Sequence, residues 1–382
     1  MSTTFSPNYP NTDLLRLKAR KRIPGFAFDY LDGGCNEEIN LIKNTTDIRA
    51  VELVPRYLES FGKVDLSCPL FGKVYSAPFG IAPVGLQGLI WPGAPEILAK
   101  AAVENNIPFI LSTVTTSSIE TIAEVTGGQA WFQLYHPAEK EMTDDILKRV
   151  SQSGYDVLVL LADVPSFGYR PKEIRNGLAM PPRMTLKNIM QIMSRPQWAL
   201  NTLRHGSPEF MTLKPYMPKG MNMHHLGLFM NKTFNGRLSP DKIAYIRDKW
   251  KGKLVIKGIA SESDTEKALQ LGVDGLIVSN HGGRQLDAAE SSIKSLSRVR
   301  NICNNKIPVM LDSGMRSGPD IARAMASGAD FTFMGRTFMY GVAALGSQGA
   351  SHTISMLKTQ LTQVMQQLSC NDIKGLPAHL VK

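Results

Sequence analysis

Residues 275–287 read GLIVSNHGGRQLD, and this stretch decides how the rest of the chain is parsed. Its first four positions are apolar and short enough for a strand buried on both faces. They run without interruption into Ser279, Asn280 and His281. Gly282 and Gly283 then permit positive φ and close approach of a ligand to the backbone, and Arg284 follows at once. The pattern is a strand that ends in a tight turn, aiming a base and a guanidinium fork at one point.

Seven further apolar runs of this kind lie on either side, at 79–85, 109–113, 130–135, 157–164, 254–259, 308–314 and 330–336. Helical candidates follow most of them: 94–104, 118–124, 143–153, 240–250, 263–271, 292–303, 319–327 and 351–368. Strands that alternate with helices imply parallel pairing through crossovers. Eight such units point to an α/β fold of the closed (β/α)8 type, a TIM barrel, rather than an open doubly wound sheet. The expected organisation is one domain over 1–382. Residues 1–78 form a mainly helical extension, 79–368 the barrel, and 165–238 a long insertion after the fourth strand.

Composition fits this class. The chain has 382 residues, 43% apolar and 20% charged. No run approaches the ~18 apolar residues of a membrane span. The start, MSTTFSPNYPNTD, lacks the pattern of an export signal. Cys35, Cys68, Cys303 and Cys370 show no ligand spacing, so neither a metal site nor a disulfide framework is expected. A reducing, cytoplasmic location is expected instead.

In a barrel the active site gathers where the strands end. The residues ending these runs are Ser112, Gln133, Tyr135, Asp163, Lys257, Ser279, His281, Arg284, Asp312, Arg316, Gly335 and Arg336. A lone lysine or histidine at such a place is usually structural. Twelve residues at one end of one barrel argue for a site. No GxGxxG follows a strand, so NAD is not indicated.

The run SNHGGRQLD closely resembles the signature of the FMN-dependent α-hydroxy-acid oxidases and dehydrogenases. WFQLY, VIKG, LDSGMR and MGR occur in that family's order, and FDYLDGG opens the resemblance at 28–34. APVG, STV and RPQWAL look most like the bacterial membrane-associated L-lactate dehydrogenases, with (S)-mandelate dehydrogenases close behind. The resemblance implies oxidation of an L-2-hydroxy acid, L-lactate first, with FMN as cofactor and a quinone or other non-oxygen acceptor. A larger hydroxy acid, or a hydroxy acid or amine within a peptide, stays open as substrate.

By the same resemblance His281 is the base, Asp163 orients its imidazole, Arg284 and Arg170 hold the substrate carboxylate, and Tyr30 and Tyr135 bind and polarise the substrate. Around FMN, Lys257 stands at the pyrimidine end, Gln133 and Ser112 contact the ring, and Pro83, Val84 and Gly85 line the face near the reactive nitrogen. Arg316 and Arg336, with Gly314 and Gly335, fall where barrels commonly bind phosphate, and Ser279 and Asp312 complete the cofactor set. Leu161 departs from the family's usual threonine, and Val114 stands where glycolate oxidases have tryptophan, which implies a roomier pocket. A homotetramer is the expected assembly.

The net charge of +10 is concentrated in the insertion. Residues 165–238 hold eleven Lys or Arg against Glu173 and Glu209, and nine of the eighteen methionines. Nothing there resembles a nucleic-acid motif. Basic residues interleaved with apolar ones suit an anionic membrane surface, so peripheral contact with the inner face of the cell membrane is expected through 180–235, with Trp198 and Phe229 among the inserting side chains. The alternatives are a cover over the active site or a contact between copies.

Overall fold

The computed structural model describes residues 5–178, 184–218, 229–234 and 236–381. A hairpin of β1 (Cys68–Leu70) and β2 (Lys73–Tyr75) precedes eight parallel strands. These are β3 (Phe79–Ile81), β4 (Ile110–Ser112), β5 (Trp131–Leu134), β6 (Val157–Leu161), β7 (Lys253–Ile259), β8 (Gly275–Val278), β9 (Val309–Leu311) and β10 (Phe331–Met334). Their order is β3-β10-β9-β8-β7-β6-β5-β4, and a parallel bridge from Ile81 to Phe109 brings the last strand back to the first. The result is a nearly closed eight-stranded barrel, as the spacing of apolar runs implies.

The strands are largely apolar because both of their faces are buried, with Ser112, Gln133, Lys253, Lys257 and Thr332 as the polar exceptions. Along β6, Val157 and Val159 point into the barrel, while Leu158 and Leu160 meet the surrounding helices. Phe331, Phe333, Trp131, Ile277 and Met310 fill the interior with them. Helices 119–126, 240–249, 262–270 and 318–326 each begin behind a serine, respectively Ser118, Ser239, Ser261 and Ser317, whose side chain accepts a first-turn N–H. Observed helix ends differ from the expected ones by a few residues, and helix 140–152 starts three residues early.

Helix 336–345, RTFMYGVAAL, has no counterpart among the sequence expectations. Eight of its ten residues are buried, since it lies between the first helix and the long helix 349–368. A helix covered on nearly every side carries few of the polar residues that mark an exposed face.

Residues 1–78 are less helical than expected. Three helices, α1 (Thr12–Arg22), α2 (Gly25–Asp32) and α3 (Ile39–Arg49), are followed by irregular chain and the β1–β2 hairpin. The run KARKR closes α1, with three basic residues in its last turn. The hairpin plugs the N-terminal end of the barrel: Phe71 lies 5.5 Å from the Trp131 ring and Tyr75 5.7 Å from Phe331, at the first residues of β5 and β10. Helices α2 and α3 reach the opposite end, where Asn44 and Asn280 exchange side-chain amide hydrogen bonds of 2.8 and 2.6 Å. One mouth is therefore sealed by aromatic rings, and the other is rimmed by polar groups.

The insertion contributes helices Pro171–Arg175, Leu186–Met193 and Pro196–His205 and a short turn of 3-10 helix, Lys214–Tyr216. Of the expected membrane segment 180–235, residues 180–183, 219–228 and 235 lie outside the described residues. Trp198 corrects the expectation of an inserting side chain. It is 4% exposed, donates from Nε1 to the Ile90 carbonyl at 3.1 Å and packs edge-on against Phe26. Phe229 is likewise packed against the core. What helix 186–193 does expose is Leu186, Ile189, Met190 and Met193, with only Asn188 buried. Leu200 and Leu203 of the next helix and Met184 just upstream are exposed as well.

Candidate active site

The open mouth holds a cavity of about 450 Å³, walled by the ends of the barrel strands, by α2 and by the insertion. Fourteen of the barrel's strand-end and family-matched residues line it together with Tyr30 and Arg170, and only Asp163 and Ser279 stand behind the wall.

His281, Gly282 and Gly283 adopt three consecutive left-handed conformations, with φ of 58°, 66° and 73°. The two glycines are required: a Cβ on Gly282 would lie 2.6 Å from an Arg336 nitrogen, and one on Gly283 2.5 Å from the Leu41 amide. For histidine this conformation is costly, and it is held from two sides. The His281 amide donates to Ser279 Oγ at 3.1 Å, and Nδ1 lies 2.9 Å from Asp163 Oδ1. Asp163 belongs to the end of β6, so the pairing exists only because β6 and β8 flank β7.

Burial pushes the imidazole below the ordinary histidine pKa, against the pull of Asp163, and Lys257 and Arg170 add to the depression. For Asp163, burial favours the neutral acid, but Lys257 and His281 outweigh it and keep the carboxyl below its usual value. The pair rests as neutral imidazole and carboxylate, with Nδ1–H donating and Nε2 free as a base. Lys257 is 3% exposed and donates to Ser279 Oγ at 2.8 Å, with Asp312 at 3.3 Å and Asp163 at 3.6 Å. Burial opposes its charge; Asp163 and Asp312 prevail and raise its pKa.

Arg284 stacks 4.9 Å from the Tyr30 ring and donates from Nη1 to the carbonyls of Tyr30 and Gly33 at 2.7 and 3.0 Å. Its Nη2 meets Glu173 Oε1 at 2.5 Å. Arg170 donates to the Arg284 carbonyl at 3.2 Å and to Gln285 Oε1 at 2.9 Å, and it also faces Glu173. Sequence reasoning did not single out Glu173 as a site residue. Its one local signal is its position three residues after Arg170, in a segment with only two acids. Tyr30 donates to the Gly85 carbonyl at 3.3 Å, and Tyr135 packs on Phe234. Burial raises the pKa of both phenols, which stay protonated donors.

Pro83, Val84 and Gly85 form one wall, with Ser112, Gln133, Lys257 and Asp312 beside them. Ser279 lies underneath, bonded to Lys257. Gly314, Arg316, Gly335 and Arg336 close the far side. Arg336 donates to the carbonyls of Leu31, Gly282 and Gly33. Burial, then repulsion from Arg284 and Arg316, pushes its pKa down to about 9. Among the described residues neither Arg316 nor Arg336 has a carboxylate partner at ion-pair distance. A half-buried cationic pair that lacks an acid suits a phosphate, and a buried lysine suits the flavin edge where negative charge collects. The residues present therefore fit FMN.

The fold and site define a flavin-dependent barrel oxidoreductase. Residues 19–382 match the family model described as FMN-dependent dehydrogenase. The chain is 33% identical to (S)-mandelate dehydrogenase of Pseudomonas putida over 97% of its own length and 93% of that protein. It is 34% identical to L-lactate dehydrogenase of Bartonella tribocorum, covering 95% of this chain and 97% of that one. The crystal structure of the monotopic membrane protein (S)-mandelate dehydrogenase superposes with a TM-score of 0.92 at 33% identity, covering 98% of this chain and 99% of that one. The protein belongs to the FMN-dependent α-hydroxy-acid dehydrogenase family, and it oxidises an L-2-hydroxy acid with FMN as cofactor.

Proposed function

We infer that the substrate is L-lactate, oxidised to pyruvate, and that the electrons pass to a quinone or another non-oxygen acceptor. The observation that carries the chemistry is the convergence of His281, Arg284 and Arg170 on one cavity, with Asp163 behind His281. Arg284 and Arg170 receive the substrate carboxylate and fix which face of the α-carbon is presented. His281 Nε2 takes the hydroxyl proton, and Asp163 stabilises the imidazolium that results. The neutral phenols of Tyr30 and Tyr135 donate to the substrate oxygens. FMN, when bound, would supply the two-electron acceptor, and Lys257 and the Arg316–Arg336 pair are the residues that would hold its ring and its phosphate.

A second reading, oxidation of (S)-mandelate or another aryl hydroxy acid, is favoured by the apolar wall of Val114, Phe210 and Met230. The name of the P. putida relative supports it too. Anaerobic bleaching of the bound flavin by L-lactate, (S)-mandelate and glycolate decides between the readings. Fast bleaching by lactate alone supports the first, and a marked preference for mandelate replaces it with the second.

The acceptor reading rests on the family resemblance and on the exposed apolar face of helices 186–193 and 196–205, with Lys187 and Arg204 beside it. Such a face suits peripheral docking on the inner leaflet, within reach of a quinone. Among the described residues no helix is long and apolar enough to cross a membrane. A homotetramer belongs to the same reading, carried by the family resemblance, and sedimentation equilibrium tests it.

A further inference from the structure

Glu173 stands where a substrate carboxylate has to bind. Its Oε1 accepts from Arg284 Nη2 at 2.5 Å, and both of its oxygens lie 3.5 Å from Arg170 Nη1. All three side chains are largely enclosed, at 12% exposure for Glu173, 13% for Arg284 and 15% for Arg170. The other hydrogen-bond partners of the two arginines are neutral: backbone carbonyls and Gln285. Among the described residues Glu173 is thus the one acid paired with either guanidinium.

The charge balance follows directly. Two guanidiniums and one carboxylate leave a single uncompensated positive charge. An entering monocarboxylate neutralises it, whereas a dicarboxylate would leave an excess negative charge in an enclosed, poorly solvated space. Without Glu173 the same pair would offer two positive charges and suit a dianion. The helix that bears Glu173 is tied down on either side of it, by Lys172 to Glu38 and by Asn176 to Asp29, each at 2.7 Å. Release of Arg284 therefore needs only rotation of the Glu173 side chain.

We propose that Glu173 is a resident competitor for the carboxylate anchor, which sets the anchor's net charge and selects monocarboxylates over dicarboxylates. The proposal rests on the reading of Arg284 and Arg170 as that anchor. Its test does not depend on turnover: the holoenzyme, Glu173→Gln and Glu173→Asp are titrated with acetate and with oxalate, following the perturbation of the flavin absorbance. Glu173→Gln should tighten oxalate by about ten- to a hundredfold, the worth of one charged hydrogen bond, and acetate by clearly less. Glu173→Asp, which keeps the charge, should stay close to the wild type for both anions. If Glu173→Gln fails to retain FMN, Glu173→Ala, which also removes the charge, is titrated in its place and judged by the same criterion. Unchanged or weaker oxalate affinity in the variant that lacks the charge, or an equal gain for both anions, overturns the proposal. Failure of every 2-hydroxy acid to bleach the wild-type flavin would instead overturn the functional reading, and the anion titrations would still judge Glu173.

Discussion

His281 Nδ1 and Asp163 Oδ1 lie 2.9 Å apart, although 118 residues of chain separate them. The contact fixes the tautomer, and burial depresses the imidazole pKa despite it. His281→Gln should keep FMN yet slow flavin reduction by roughly 10²–10⁴-fold. In the wild type, reduction should rise with pH through an inflection below the ordinary histidine value and then level off, since only neutral imidazole accepts a proton. Stopped-flow reduction across pH checks both statements; near-normal reduction in His281→Gln would remove this residue from the mechanism.

Gly85 tolerates no added methyl without movement of Val114, whose Cγ2 would sit 3.0 Å from the new Cβ. Gly85→Ala should therefore lower stability by about 1–3 kcal/mol through overpacking. Gly85→Ala combined with Val114→Ala should recover most of it. Urea unfolding of the three variants measures this, and additive losses in the double variant would show that the two positions are not in conflict.

The apolar face of helices 186–193 and 196–205 gives the membrane reading a local test. Leu186→Gln, Met190→Gln and Leu203→Gln together replace side chains that are exposed in this structure, so folding should be little affected. Co-sedimentation with anionic liposomes at low salt should be lost, while dye-linked turnover survives. A wild-type protein that ignores such liposomes at low salt favours a soluble acceptor.

His136 supplies a pH dependence of stability remote from catalysis. Burial first, and Lys242 second, push its pKa from 6.5 down to about 4. In that interval the unfolded chain binds the proton and the native one does not, so stability falls as pH drops from about 6.5 towards about 4. His136→Gln should flatten this part of the curve relative to wild type. Chemical denaturation at a series of pH values reads the difference, and parallel curves would refute the assignment.

Much of the candidate site was legible because its signals are local. A buried strand is a short apolar run, a turn that needs positive φ shows its glycines, and residues at strand ends share one mouth once the barrel closes. His281, Arg284, Lys257 and Asp163 could be named on those grounds and by family resemblance. The helix at 336–345 escaped because, buried over eight of its ten residues, it carries almost no polar face and follows directly on the apolar strand at 331–334. The short β1–β2 hairpin escaped because nothing in the eight residues 68–75 shows that they will stopper a barrel.

The amino-acid sequence by itself determined the succession of most strands and helices and the end of the barrel at which chemistry gathers, since each depends on residue type and on spacing along the chain, while the cofactor class came with the family resemblance. Only the tertiary structure decided that Trp198 turns inward to the Ile90 carbonyl while Leu186 and Met190 face outward, and that Glu173 lies between Arg284 and Arg170. Which neighbour a side chain meets depends on how elements far apart in sequence pack. A tryptophan needs a partner for its N–H and a buried carboxylate needs a cation, and packing alone brings either within reach.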